Sequence, residues 1–384
     1  MNVVQLNYAF DKALTDPDAL LDAYRTLTGL SEAVAAAGAD RTTVVQRFHR
    51  EARITRNGIE YVFCRPSRVH RTVADARPDV VHVNGLQFAA HTWTLRQKLD
   101  RSIAIVVQDH GGGVPTGSRV PFDHAIRRRM SSAADGFLFV ASEQSKSWRH
   151  AGLLPATCRV YEVMEASTTF RPVPREEART VSRIDGKPAV LWVGRLTANK
   201  DPLTVVDGFE QSLRDLPAAT LTMIYDGDDL LPLVRARVRS SALRDRVRLL
   251  GPVAHERLPA FYSAADLFVL GSHQEGSGYA LLEACACGLL PVVTDIPSFR
   301  VITAGGSFGT LWNAGHAEAC ARALVNAARS NTAHARALMT AHFDRALSWG
   351  AIGRDALAAY HDALASRRAR LNIDLLESSR RPLR

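Results

Sequence analysis

Short apolar runs recur along this chain, separated by longer stretches in which apolar and polar positions alternate at helical spacing. In the first half the runs lie at positions 3–6, 42–46, 59–64, 79–83, 103–107 and 136–140. They are short, rich in valine and isoleucine, and mostly lack the one-in-two polar alternation of a half-exposed strand. That is the signature of strands buried on both faces, as in parallel sheets. Residues 18–38 carry apolar positions at helical spacing and close on Gly38, which predicts one amphipathic helix. A second block repeats the pattern, with runs at 189–193, 220–224, 247–250, 267–270 and 290–293 and helices at 203–213 and 258–264. Alternating buried strands and helices predict an α/β chain of two doubly wound domains facing across a cleft.

Residues 172–188 are proline-bearing, charged and without apolar period, so they read as the linker between domains at 1–172 and 173–345. A length of 384 residues suits two cores better than one. The arginine-rich stretch 367–384 predicts a basic, mobile tail. Composition, with 46% hydrophobic and 23% charged residues, is that of a soluble globular protein. No apolar run reaches the roughly 18 residues of a membrane span, and the first residues lack a basic start and an apolar core, which predicts a cytoplasmic protein. The five cysteines show no C-x-x-C pairing, and Cys285 and Cys287 sit in an apolar helical run, so packing is their predicted role rather than metal binding.

The net charge of +9 is unevenly placed. Residues 1–172 hold 22 basic against 17 acidic groups, residues 366–384 hold six arginines against two acids, and the rest is balanced. Such a surface can meet an acidic saccharide or the anionic inner face of a membrane. Nothing resembles an aromatic-interleaved RNA platform or a DNA-reading helix, so nucleic acid is not an expected partner.

The chemistry concentrates in residues 275–283. Glu275 opens a turn of Gly276, Ser277 and Gly278, and Glu283 lies on the helix that follows. A spacing of eight residues is a little over two helical turns, so both carboxylates are predicted on one face. Backbone N–H groups of Gly276, Ser277 and Gly278 at that helix start would be donors for an anion or a sugar hydroxyl. Earlier in the same block, Gly194 ends a strand and is followed by Arg195 and, five residues later, Lys200. A guanidinium and an ammonium in one loop can neutralise a diphosphate. Two cations and two carboxylates around a helix start suit a sugar nucleotide.

These spaced elements, Gly194–Arg195 with Lys200, then Gly251 to Asp266 with Leu258 and Tyr262, then Ser272 to Gly288 with Glu275 and Glu283, then Pro291 to Asp295, resemble the C-terminal half of the family 4 retaining glycosyltransferases, also called glycosyl transferases group 1. The resemblance covers roughly residues 189–312 and implies the GT-B fold of two Rossmann-like domains. It implies that Gly194, Arg195 and Lys200 hold the donor diphosphate, that Glu283 accepts from the ribose hydroxyls, and that Glu275 with Gly276, Ser277 and Gly278 grips the donor sugar. It implies no metal and no cofactor beyond the nucleoside diphosphate sugar, since the two cations neutralise the leaving group. His110, just after the run 103–107, matches a histidine that approaches the donor sugar from the first domain. Arg195, Lys200, Glu275 and His110 are thus the implied catalytic set. The acceptor is a hydroxyl on a saccharide, a lipid-linked molecule or a small molecule. Trp349 and a helix over 356–365, within 346–366, are implied to cross back to the first domain.

Three positions depart from the family. The first strand is followed by Asn7, Tyr8, Ala9, Phe10 and Asp11 instead of a glycine pair. Glu162, Val163, Met164, Glu165 and Ala166 stand where an asparagine–glycine pair is usual. Tyr225, Asp226 and Gly227 replace a glycine-x-glycine turn near the base, leaving base preference open. Two other readings compete. A nucleotide-sugar-binding scaffold without turnover would keep the same residues. An esterase would use the glycines after His110 as an oxyanion loop and Ser307, between Gly305 and Gly309, as nucleophile, but that motif needs a strand before the serine and a helix after it. A dehydrogenase is excluded, because no G-x-G-x-x-G follows either first strand.

Overall fold

The computed structural model of the protein describes residues 1–111, 113–114, 120–155, 158–239, 242–330 and 332–379. Gly112, in the glycine loop after His110, lies outside the described residues. The chain divides into two compact units, one of Met1–Ala166 with Trp349–Arg384 and one of Ser167–Ser348. The divisions fall a few residues from the expected boundaries after 172 and 345.

The first unit is built on eight strands, β1 (Asn2–Asn7), β2 (Arg41–Arg47), β3 (Ala52–Arg56), β4 (Ile59–Cys64), β5 (Val80–Asn84), β6 (Ala104–Gln108), β7 (Gly136–Phe139) and β8 (Arg159–Glu162). Their order across the sheet is β3-β4-β2-β1-β5-β6-β7-β8, and every pairing is parallel except β3 with β4. One face buries Val4, Leu6, Val81, Val83, Ile105, Val107, Phe137 and Phe139 against flanking helices. Each such side chain contributes about 1.5–3 kcal/mol of transfer free energy.

Three expectations need correction here. The helix predicted over 18–38 is two helices, Pro17–Ala23 and Arg25–Ala36, because Tyr24 leaves helical geometry at φ −95°, ψ 64°. Strand β3 was not anticipated: Asn57 (φ 51°) and Gly58 (φ 77°) form a two-residue hairpin turn joining it to β4. The expected mobile tail is instead the end of a helix that runs Trp349–Ser379, while residues 380–384 lie outside the described set. Three of its arginines are engaged. Arg370 meets Asp135 at 2.5 Å, Arg367 donates to the carbonyl of Arg101 at 2.6 Å, and Arg368 lies 3.5 Å from Asp79. The helix packs tightly on Arg25–Ala36, since a Cβ on Gly353 would stand 2.1 Å from the Ala33 carbonyl.

The second unit carries a fully parallel six-stranded sheet, β9 (Ala189–Arg195), β10 (Thr220–Asp226), β11 (Val247–Gly251), β12 (Leu267–Leu270), β13 (Leu290–Thr294) and β14 (Thr310–Trp312), ordered β11-β10-β9-β12-β13-β14. Both units are therefore doubly wound and Rossmann-like. The segment expected as a bare linker contains a helix, Arg175–Ser182, with Glu176 and Glu177 in its first turn and Ala178 and Ser182 buried. Acidic residues there complement the helix dipole. Among the described residues no helix is long and apolar enough to cross a membrane.

Candidate active site

In a doubly wound sheet, ligands meet the loops at the carboxyl ends of the strands. In the second unit β9 delivers Gly194 and Arg195 to that edge. The chain then turns through a short 3₁₀ segment, Ala198–Lys200, into the helix Pro202–Ser212. Asp201 starts that helix with a left-handed backbone (φ 42°) and accepts from the Thr204 N–H at 3.3 Å.

The adjacent strand β12 delivers the loop carrying Glu275. Asn199 stitches the two loops together: its Nδ2 donates to the Gln274 carbonyl at 2.9 Å, its Oδ1 accepts from the Gln274 N–H at 3.1 Å, and its carbonyl accepts from the His273 N–H at 2.9 Å. The result is a direct ion pair between Lys200 and Glu275, side chains only 20% and 12% exposed. The expected roles gave the lysine to the diphosphate and the glutamate to the sugar. In the structure each is the other's partner, an ammonium oriented by a carboxylate. Arg195 is exposed at the end of β9.

Gly276, Ser277 and Gly278 lead into the helix Tyr279–Ala286. Gly278 has φ 69°, and a Cβ there would stand 2.7 Å from the Phe299 ring, so the turn requires glycine. Glu283 lies deeper on this helix and is 6% exposed. A carboxylate so buried needs partners. Tyr262 donates its hydroxyl to one oxygen at 2.9 Å, and His255 Nε2 lies 3.0 Å from the other. Burial, and after it the charge of Glu283, holds the Tyr262 hydroxyl well above its ordinary range, so it stays a donor. Phe170 packs on both partners, its ring centroid 4.7 Å from His255 and 6.3 Å from Tyr262. Glu283 is thus held by partners distinct from the Lys200–Glu275 pair. Neither His255 nor Asn199 was singled out from the sequence, and Tyr262 entered there only as part of a motif, with no role. The signal available was a glutamate inside an apolar helix, which demands donors without naming them.

The first unit presents its own cluster at the carboxyl edge. His110 follows β6, Asn84 ends β5, and Glu165 follows β8. His110 Nδ1 lies 2.5 Å from Glu165 and Nε2 lies 3.3 Å from Asn84 Oδ1. Burial alone would push the imidazole down; the hydrogen bond and charge of Glu165, with the charge of Asp109, outweigh it and hold the ring above its ordinary value. Asp109 is 7% exposed and is pushed up to about 6, first by burial, with the charge of Glu165 adding to it. Beside them a row of amides crosses the sheet in register, Gln46, Asn7, Asn84 and Gln108. Asn7 donates to Gln46 at 2.8 Å, so the polar side chain that replaces a glycine after β1 braces its neighbour strand. The structure brings Glu165 to His110, a pairing the sequence did not reveal.

The esterase reading fails on geometry. Ser307 follows the helix Pro297–Ile302 and precedes β14, the reverse of a strand–serine–helix elbow, and it belongs to the other unit from His110.

Residues 174–339 match the model of the family described as glycosyl transferases group 1. A GDP-mannose-dependent alpha-(1-6)-phosphatidylinositol monomannoside mannosyltransferase of Mycobacterium tuberculosis is 30% identical over 288 residues, spanning 71% of this chain and 70% of that one. The chain belongs to the glycosyl transferases group 1 family. A mannosylfructose-phosphate synthase of Agrobacterium fabrum is 38% identical over 139 residues, which are 34% of this chain and only 30% of that protein's length. Among solved structures, a glycosyltransferase from Rickettsia africae superposes with a TM-score of 0.70 at 13% identity, over 94% of this chain and 98% of that one. That likeness concerns the fold, which is GT-B. As a member of this family the protein is a glycosyltransferase.

Proposed function

We propose that the enzyme transfers a sugar, with retention of anomeric configuration and without a metal ion, from a nucleoside diphosphate sugar to a hydroxyl acceptor. The observation that carries this reading is the Lys200–Glu275 pair, locked by Asn199 at the ligand edge of the second unit. Lys200 and Arg195 supply the positive charge that a departing diphosphate needs, the work a divalent ion does elsewhere. Glu283, steadied by Tyr262 and His255, has lone pairs left to accept from ribose hydroxyls. Glu275 and the turn of Gly276, Ser277 and Gly278 are assigned to the donor sugar, and His110, at the carboxyl edge of the first sheet, is assigned to the same reaction. No side chain is assigned as a covalent nucleophile; the sugar is attacked on the face its phosphate leaves, and that phosphate takes the acceptor proton.

The relative from Mycobacterium tuberculosis is named for GDP-mannose and for a phosphatidylinositol-based acceptor. GDP-mannose therefore heads the donor screen, ahead of UDP- and ADP-sugars. The basic surplus of residues 1–172 fits an acidic or lipid-linked acceptor presented at the inner membrane surface to a cytoplasmic enzyme. Thermal-shift titration against the three nucleotide-sugar classes, followed by NMR of the anomeric product, tests the proposal. Stabilisation by one donor and release of free nucleoside diphosphate with an α-to-α product are expected. A donor that binds and is never turned over would instead mark a silent scaffold, and an inverted product would remove the retaining mechanism.

A further inference from the structure

The inference here rests on the assignment of His110 to the transfer reaction. We infer that Glu165 is a positioning residue for that reaction: it grips His110 through Nδ1 and fixes the ring as a doubly hydrogen-bonded imidazolium at the carboxyl edge of the first sheet.

The geometry of the ring's two nitrogens carries the argument. Glu165 Oε2 lies 2.5 Å from Nδ1, and Asn84 Oδ1 lies 3.3 Å from Nε2. A neutral imidazole has one donor and one acceptor nitrogen, whereas here both nitrogens face oxygen acceptors. With Asn84 Oδ1 turned toward the ring, only the doubly protonated imidazole satisfies both contacts. Glu165 is itself 7% exposed, so its carboxylate is fixed by the fold and is not a wandering surface charge.

The other ionisable groups around the ring agree with this state. Asp109 precedes it in the chain and accepts from the Gly111 N–H at 3.2 Å, which places a second carboxyl group beside the imidazole. Beneath it His82 is fully buried, with Nδ1 2.5 Å from the Tyr360 hydroxyl. Burial first, and then the charge of His110, pushes His82 down to about 3, so it is neutral and does not compete for Glu165. Glu165, Asp109 and His82 are the titratable groups that face His110 among the described residues.

The placement also explains a departure from the family. Glu165 lies in the segment that replaces an asparagine–glycine pair after β8. An asparagine could orient a histidine but could not stabilise its charge. A carboxylate does both, so in this chain His110 is presented as a charged donor at the carboxyl edge of the first sheet. The ring donates and keeps its protons.

The test uses the full chain, the donor identified by the screen, and the variants Glu165→Gln, Glu165→Ala and Glu165→Asp. His110 is followed by NMR titration of its ring, assigned with His110→Asn, while kcat and donor KM are measured from pH 6 to 9. In the wild type the ring titrates above the ordinary value of about 6.5. The imidazolium is then present below that raised value and lost as pH rises through it, which sets the alkaline limb of kcat. Glu165→Gln should lower the ring's titration and carry the alkaline limb down with it. At pH 8 kcat should fall about 10- to 100-fold, as second partners of functional histidines generally show. Donor KM should stay within about twofold, Glu165→Ala should behave like the glutamine variant or worse, and Glu165→Asp should recover part of the limb.

A ring titration that falls while the kcat profile stays put would overturn the inference and leave the transfer reaction standing. So would ¹⁵N shifts showing a wild-type ring protonated on one nitrogen at pH 7, the state in which the Asn84 amide is turned over. No turnover of any nucleotide sugar by the wild type would instead sink the transfer reading itself, and the role of Glu165 with it.

Discussion

The two units place a basic side chain against a carboxylate at the same architectural position, the carboxyl edge of a parallel sheet, by different means. In the second unit Lys200 and Glu275 lie on loops from neighbouring strands β9 and β12, tied together by Asn199. In the first, His110 follows β6 and Glu165 follows β8, with β7 between them in the sheet. The first arrangement is written in local grammar: a strand-ending glycine, a cationic loop, a glycine turn and a helix start. The second depends on a tertiary contact between segments with no motif of their own. The asymmetry follows the family match, which covers residues 174–339 and so falls on the second unit.

Breaking the second unit's pair should have the largest effect. Lys200→Ala and Arg195→Ala should each reduce kcat by about 10²-fold or more if each cation gives a few kcal/mol to the departing diphosphate. Near-unchanged turnover in both would remove the leaving-group role. Lys200→Ala also leaves Glu275, 12% exposed, without its ammonium, so melting should be measured beside kinetics. A turnover loss much larger than the melting loss is the expected pattern.

Next in size is the seat of Glu283. Tyr262→Phe removes one hydroxyl donor from a buried carboxylate, which costs about 1–3 kcal/mol because the oxygen is left unsatisfied. Nucleotide affinity should weaken by about tenfold, while kcat at saturating donor changes less. Isothermal titration with the free nucleoside diphosphate separates the two. Unchanged affinity would mean that Glu283 is a structural acid of the helix core rather than a ribose ligand.

The first unit has a comparable charge cluster, away from its carboxyl edge. Asp135 is 2% exposed, meets Arg96 at 2.7 Å and Arg370 at 2.5 Å, and also accepts from the Ile105 N–H at 2.8 Å. Burial first lowers the affinity of Arg96 for its proton to about 10, so the guanidinium stays charged and needs its carboxylate. Asp135→Ala should destabilise the chain by about 3 kcal/mol, the cost of stranding a buried charge. Chemical denaturation should report it, with hydrogen exchange rising first in the last turns of the helix Trp349–Ser379. Kinetics at a temperature where the variant is folded should be nearly those of the wild type. A stable variant would mean that Arg367 and Arg370 do not anchor that helix through Asp135.

What the sequence revealed follows the same division. Both sheets were legible because buried parallel strands read as short apolar runs, and helix Leu258–Ala264 was read to its residue limits. Arg195, Lys200, Glu275 and Glu283 were named from a strand-end loop and a glycine turn at a helix start; the structure pairs Lys200 with Glu275 and buries Glu283 among other partners. The helical tail was not, because an arginine-rich stretch reads as solvated charge unless one knows that Asp135 and Asp79 wait for it. Nor was Glu165, since nothing local links it to His110. The helix Arg175–Ser182 was masked by flanking prolines and charge, yet Ala178 and Ser182 supply its buried face.

One miss was of another kind, and it yields the smallest predicted effect. Asn57–Gly58 between two β-prone runs is a strong two-residue hairpin signal, and it does join β3 to β4, with φ 51° and 77° at the two positions. Nothing lies within 4 Å of a Cβ built on Gly58, so Gly58→Ala introduces no clash. Its cost is backbone strain alone, about 1 kcal/mol for a left-handed alanine. Strand β3 is the outermost of the sheet, with β4, β2, β1 and β5 between it and the strand β6 that leads to His110, so turnover should not change. A loss of activity matching that of the Glu165 variants would show that the first unit's site is coupled to its far edge, and the contrast between a locally written donor half and a tertiary first half would have to be redrawn.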